Sequence, residues 1–111
     1  MNIDLAPKQF ETVTRILARL VPDCEVVAFG SRVKGNARKY SDLDLAIKGN
    51  EPLEFRRYAQ LRQAFEESAL PINVDILDWH TMPERFRENI EKRCVVVQSG
   101  ARPGEEAFHP F

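Results

Sequence analysis

Asp42 and Asp44 stand two positions apart in Asp42-Leu43-Asp44-Leu45-Ala46-Ile47. Period-two alternation places Leu43, Leu45 and Ile47 on one face of a strand and both acids on the other. Carboxylates this close repel each other, and one resists ionising unless a cation lies between them. A hard divalent cation such as magnesium takes oxygen ligands of this kind, usually one or two carboxylates together with substrate phosphates. Upstream, the apolar run Val26-Val27-Ala28-Phe29 stops at Gly30-Ser31, which predicts a buried strand ended by a tight turn. A glycine turn lets backbone N–H groups face a phosphate, and a helix starting after Ser31 would add its positive end. Arg32, Lys34, Arg38 and Lys39 make the intervening loop basic. A basic loop set against an acidic strand suits a metal–polyphosphate complex. A lone Asp-x-Asp also fits a strand whose acids simply face water.

A third acid, Asp75, lies inside the apolar segment Ile72-Asn73-Val74-Asp75-Ile76-Leu77. Burying it without compensation is expensive, so it needs either a salt bridge to one of the arginines or a place in the same metal site. Asp78, at the end of that segment, suits a cap or turn instead.

The elements that must carry these residues follow from periodicity. Asp4 or the residues just after it begin a first helix, with Pro7 near its first turn and Phe10, Val13, Ile16, Leu17 and Leu20 on its buried face. Pro22-Asp23 ends it, and a strand over Cys24–Phe29 follows. After the acidic strand, Gly49-Asn50 makes a turn. Pro52 then opens a second long helix reaching about Ala69, with Phe55, Tyr58, Ala59, Leu61 and Phe65 inward. The Ile72–Leu77 strand puts Val74 and Ile76 on one face and Asn73, Asp75 and Leu77 on the other. A helix starting near Thr81–Glu84 uses Phe86 and Ile90 as core contacts, and Cys94–Gln98 is a fourth strand. The order αββαβαβ predicts an α/β (α+β) fold: a small sheet of about four strands with helices packed on it. Residues 1–98 are expected to form one domain, and the segment from 99 to 111, SGARPGEEAFHPF, a flexible C-terminal tail.

Composition excludes several classes. A chain of 111 residues has core enough for one domain and little more. With a net charge of −1 it lacks the basic surface of a general nucleic-acid binder, so no direct nucleic-acid contact is expected. No apolar run approaches a membrane span and no secretory signal opens the chain. Cys24 and Cys94 form neither a disulfide framework nor a zinc site, so both are expected as reduced thiols in a cytoplasmic protein.

Gly30-Ser31 followed at fixed distance by Asp42-x-Asp44 resembles the signature of the DNA polymerase β-like nucleotidyltransferase superfamily. The form GSR-x-x-G-x-A-R…SDLDLAI is similar to that of the minimal nucleotidyltransferases, the MNT family, over roughly Phe10 to Gln98. The resemblance implies nucleotidyl transfer with two Mg2+ ions and ATP as substrate. Asp42, Asp44 and Asp75 would be the catalytic and metal-ligating acids, Asp75 also helping to deprotonate the acceptor hydroxyl. Gly30 and Ser31 would grip the β- and γ-phosphates, and Arg32 and Lys34 would offset charge on the departing pyrophosphate. Arg38 is either a phosphate ligand or a loop charge, and Gly35 supplies turn freedom. Trp79 could stack on a base or anchor the core edge, and His80 could act as a base. Phe108 and Phe111 could dock on a partner.

Larger members of the superfamily add a helical domain that holds the acceptor, for which this chain has no room. The MNT resemblance implies a hetero-oligomeric partner, a small helical HEPN ribonuclease toxin. The chain would be its antitoxin, moving AMP from ATP onto a tyrosine of the toxin. Neutralisation by complex formation without catalysis stays open, as does transfer to a small molecule or an RNA end. The complete set of acids favours the enzyme, and near-zero charge disfavours RNA.

Overall fold

The computed structural model describes residues 3–100. Helix α1 spans Pro7–Leu20, with proline where the missing N–H costs nothing and the Gln9 side chain accepting from the Ala6 N–H at 3.0 Å. Val13, Ile16 and Leu17 are its buried stripe, while Phe10, one turn earlier, stays 36% exposed and contributes less to the core than the periodicity predicts. Strand β1 (Glu25–Phe29) leads through Gly30 into the short helix α2 (Ser31–Lys34), and β2 covers Leu43–Lys48. Helix α3 (Phe55–Glu66) buries Leu61 and Phe65. At about 100° per residue, Phe55 and Ala59 turn well away from that stripe. Phe55 is accordingly 84% exposed, against the expectation that it packs inward. Strand β3 (Val74–Asp78), a 3-10 turn at Trp79–Thr81, helix α4 (Glu84–Lys92) and β4 (Val95–Gln98) complete the order.

The four strands form one mixed sheet in the order β3-β2-β1-β4. β2 runs antiparallel to β1, β1 antiparallel to β4, and β2 parallel to β3, with α3 as the crossover that a parallel pair requires. One sheet face, carrying Val26, Ala28, Leu43, Leu45, Ile47 and Ile76, packs against α1 and α3 as the main core. The opposite face carries Val27 and Ala46, which Met82 and Ile90 cover, with Phe29, Leu77, Trp79 and Cys94 at its margin. Alternation then fixes the acids: Asp44 shares its face with Ala46, and Asp75 with Leu77. Both lie on the α4 side of the sheet, where the cover is thinner.

Cys24 is buried and Cys94 half-buried, both as free thiols. Among the described residues no helix is long and apolar enough to cross a membrane. The expected tail lies outside the described residues from residue 101 onward, as do His109, Phe108 and Phe111.

Candidate active site

Register brings the site together. Phe29 of β1 pairs with Asp44 of β2, and Asp44 pairs with Asp75 of β3, so the two acids are neighbours across the sheet and Gly30, the residue after Phe29, lies against the Asp44 side chain. Asp42 does not belong to β2 as the alternation predicts; it lies just ahead of Leu43, where the strand begins, and is exposed.

Asp44 is half-buried, and its carboxyl is pushed up from 3.8 to about 6. Burial is the largest cause, followed by the charges of Asp75 and Asp42, with Lys34 pulling the other way. This is an acid whose neighbours disfavour its charge, and a cation would relieve the conflict. Among the described residues the side chains do not close into a ready cluster of three metal-binding groups. The donor set still fits a hard cation that takes one or two carboxylates and completes its shell with phosphate oxygens and water. Asp75 is exposed and has no ion-pair partner among the described residues, so the alternative of a structural salt bridge finds no support there.

Gly30 is built around the same carboxyl. Its backbone has φ 80° and ψ −158°, a combination that only glycine adopts readily. A Cβ at this position would overlap Asp44 Oδ2 and lie 3.2 Å from its Cγ. The turn therefore presses its main chain directly against Asp44. The Gly30 carbonyl accepts from the N–H groups of Val33 and Lys34, both at 3.0 Å. The N–H groups of Ser31 and Arg32, in the first turn of α2, have no acceptor within that helix.

Arg32 does something other than expected. Only 6% exposed, its guanidinium donates to backbone carbonyls: Nε to Ser41 at 3.0 Å, Nη1 to Asp4 at 2.8 Å, and Nη2 to Arg38 at 3.3 Å and Lys39 at 3.0 Å. Those four bonds commit nearly all of its donors, so it clamps the loop between α2 and β2 instead of reaching a phosphate. The Ser41 hydroxyl completes the clamp by accepting from the Arg38 N–H at 2.8 Å. Lys34 is exposed and, with Gly30, lines a groove of about 540 Å³ floored by Phe29, Phe86 and Ile90. Arg85, Asn89 and Arg93 line it from the α4 side. Their spacing of four along the sequence was a visible cue to a polar stripe.

Asp78 takes the capping place: its carboxylate accepts from the N–H groups of His80 at 3.0 Å and Leu53 at 2.9 Å. His80 Nε2 is bonded to the Gly49 carbonyl at 2.6 Å, which occupies it away from the acids. Trp79 anchors the core edge, with the Lys48 ammonium 4.3 Å above its ring.

Residues 11–101 match the family described as "Polymerase beta, Nucleotidyltransferase". The chain belongs to that nucleotidyltransferase family. It is 52% identical over 105 residues to the "Probable protein adenylyltransferase MntA" of Haemophilus influenzae, an overlap of 95% of this chain and 92% of that protein. Its fold is similar to a chain of a toxin–antitoxin crystal structure with AMP-PNP, with TM-score 0.68 and 19% identity over 87% of this chain and 76% of that one. A chain from the complex of tri-AMPylated Shewanella oneidensis HEPN toxin with MNT antitoxin gives TM-score 0.62 and 18% identity, covering 83% and 71%. The mixed sheet with its flanking helices is thus the nucleotidyltransferase fold, and the row of acids sits where two neighbouring strands of that fold meet.

Proposed function

We propose that this chain is an ATP-using protein adenylyltransferase, the antitoxin of a HEPN/MNT pair, that transfers AMP to a tyrosine hydroxyl of its helical HEPN partner in the cytoplasm. The observation that carries the reading is the grouping of Gly30, Asp44 and Asp75, which sets a glycine turn, a half-buried acid whose neighbours disfavour its charge and a second, exposed acid side by side on adjacent strands. The near full-length relationship to a protein adenylyltransferase supports the acceptor class.

Asp42, Asp44 and Asp75 would hold magnesium, which would supply charge neutralisation and activation of the attacking oxygen. The protein's own groups do the rest. The missing side chain at residue 30 lets the Asp44 carboxyl lie against the Gly30-Ser31 turn, whose main-chain N–H groups would take the β- and γ-phosphates. Lys34, on the open side of the same turn, offsets charge on the departing pyrophosphate. Arg32 clamps the loop that leads from Lys34 to Asp42. The acceptor oxygen forms a bond to the α-phosphorus, the bond from that phosphorus to the pyrophosphate oxygen breaks, and Asp75 takes the hydroxyl proton.

The test is incubation with magnesium, α-labelled ATP and the HEPN-family partner. Label on a partner tyrosine, lost in Asp42→Asn and Asp44→Asn, is the expected result. Tight complex formation without label would move the account to neutralisation by binding alone.

A further inference from the structure

We infer that the open edge of β3 is the docking site for the acceptor, taken as an extended segment of the partner polypeptide that adds to the sheet as a fifth strand. This rests on the adenylyltransferase reading for the identity of the partner and the direction of attack, and on separate observations for the open edge and its groove.

The first observation is direction. The phosphate turn closes β1, Asp44 is on β2 and Asp75 on β3, so donor and acids succeed one another across the sheet. In an in-line displacement the attacking oxygen enters opposite the leaving group. With the pyrophosphate held at the β1 side, the acceptor enters from the β3 side. β3 is the terminal strand, so nothing in the sheet blocks that approach.

The second observation is the backbone. The Leu43 N–H donates to the Asn73 carbonyl at 2.9 Å, and Leu43 is in register with Val74. In a parallel ladder this assigns the main-chain groups of Asn73, Asp75 and Leu77 to β2. Those of Val74 and Ile76 then point to the open edge, and no backbone bond to them is found among the described residues. They offer two N–H donors and two carbonyl acceptors in the alternation that an extended peptide satisfies.

The third is space. A groove of about 690 Å³ runs along this edge, from Asn73 through Leu77, walled by Tyr58, Arg62 and Phe65 of α3. A strand lying in it turns alternate side chains toward α3 and the others toward the acid face. The residue opposite Asp75 shares Asp75's face, at cross-strand distance. The edge therefore binds the segment by its main chain, α3 contacts its neighbouring side chains, and the hydroxyl is delivered beside Asp75.

Amide exchange tests this residue by residue. In the isolated protein the Val74 and Ile76 amides exchange much faster than those of Asp75 and Leu77. Adding the HEPN-family partner with AMP-PNP should slow both at least tenfold. Val74→Pro, which removes one outward donor and no bond to β2, should lower kcat/KM for the partner at least tenfold with AMP-PNP affinity unchanged. If label is transferred while both amides exchange in the complex as fast as in the free protein, the docking site is wrong and the activity stands. If both amides are protected but no label moves, the docking stands and the activity fails. Slow exchange at both amides already in the isolated protein, from pairing with a second copy or with the chain's own C-terminal segment, would overturn the proposal, as would failure to form the complex.

Discussion

The carboxylate of Asp44 fills the space that any side chain on residue 30 would need, so Gly30 and Asp44 are mutually exclusive with a Cβ between them. The contact sets the glycine turn directly against the acid. Gly30→Ala must adopt a backbone conformation disfavoured for any L-residue and displace Asp44 as well. The strained backbone alone is worth about 1–3 kcal/mol. The expected result is a lower urea midpoint together with loss of transfer, both visible in one purified variant.

Asp44→Asn should stabilise the metal-free protein. The folded-state pKa of Asp44 is raised to about 6 from 3.8, so between these values the native chain binds its proton more tightly than the unfolded chain. Stability from this group is present below pH 3.8 and is lost as pH rises through 6. Asparagine removes that loss. After allowance for solvent screening the gain at neutral pH is about 1–2 kcal/mol. Thermal melts in chelator across pH 4–7 check it, with the two curves converging at the acid end.

Arg32 and Lys34, two positions apart on the same short helix, should separate cleanly. Arg32→Lys leaves several loop carbonyls without a donor and costs about 2–3 kcal/mol in denaturant unfolding. Lys34→Ala, at an exposed position, should leave stability within about 0.5 kcal/mol while weakening transfer. Equal effects on stability would remove the distinction.

Arg57 ties α3 to the turn after α1: Nη2 reaches Asp23 Oδ1 at 2.5 Å and the Leu20 carbonyl at 3.2 Å. The Arg57 guanidinium holds the Asp23 carboxyl below its usual 3.8. This stability is present above 3.8 and lost as pH falls through the lowered value. Arg57→Ala should cost about 1 kcal/mol at neutral pH and progressively less in strong acid, by urea unfolding at each pH.

The places of Asp44 and of the glycine turn were legible because the signals are local: a strand alternates, and a Gly-Ser stop follows an apolar run; Asp42 fell outside the strand because β2 begins only at Leu43. Asp75 was legible as an acid in an apolar strand, but its pairing with Asp44 depends on register, which no spacing in the chain encodes. Arg32 was misassigned for the same reason. Charge in a basic loop suggests phosphate, whereas four carbonyls converging from residues 4, 38, 39 and 41 make it an internal clamp. Phe55 shows the converse failure, since an apolar residue near a helix start looks inward until the helix phase is known.

The most direct measurement is single-turnover transfer of α-label to the HEPN-family partner by Asp75→Asn, with a melting curve on the same sample. Asp75 is exposed and unpaired among the described residues, so the account predicts an unchanged or higher melting temperature with transfer abolished. Wild-type transfer per folded molecule, accompanied by a lower melting temperature, would contradict it and return Asp75 to a structural role.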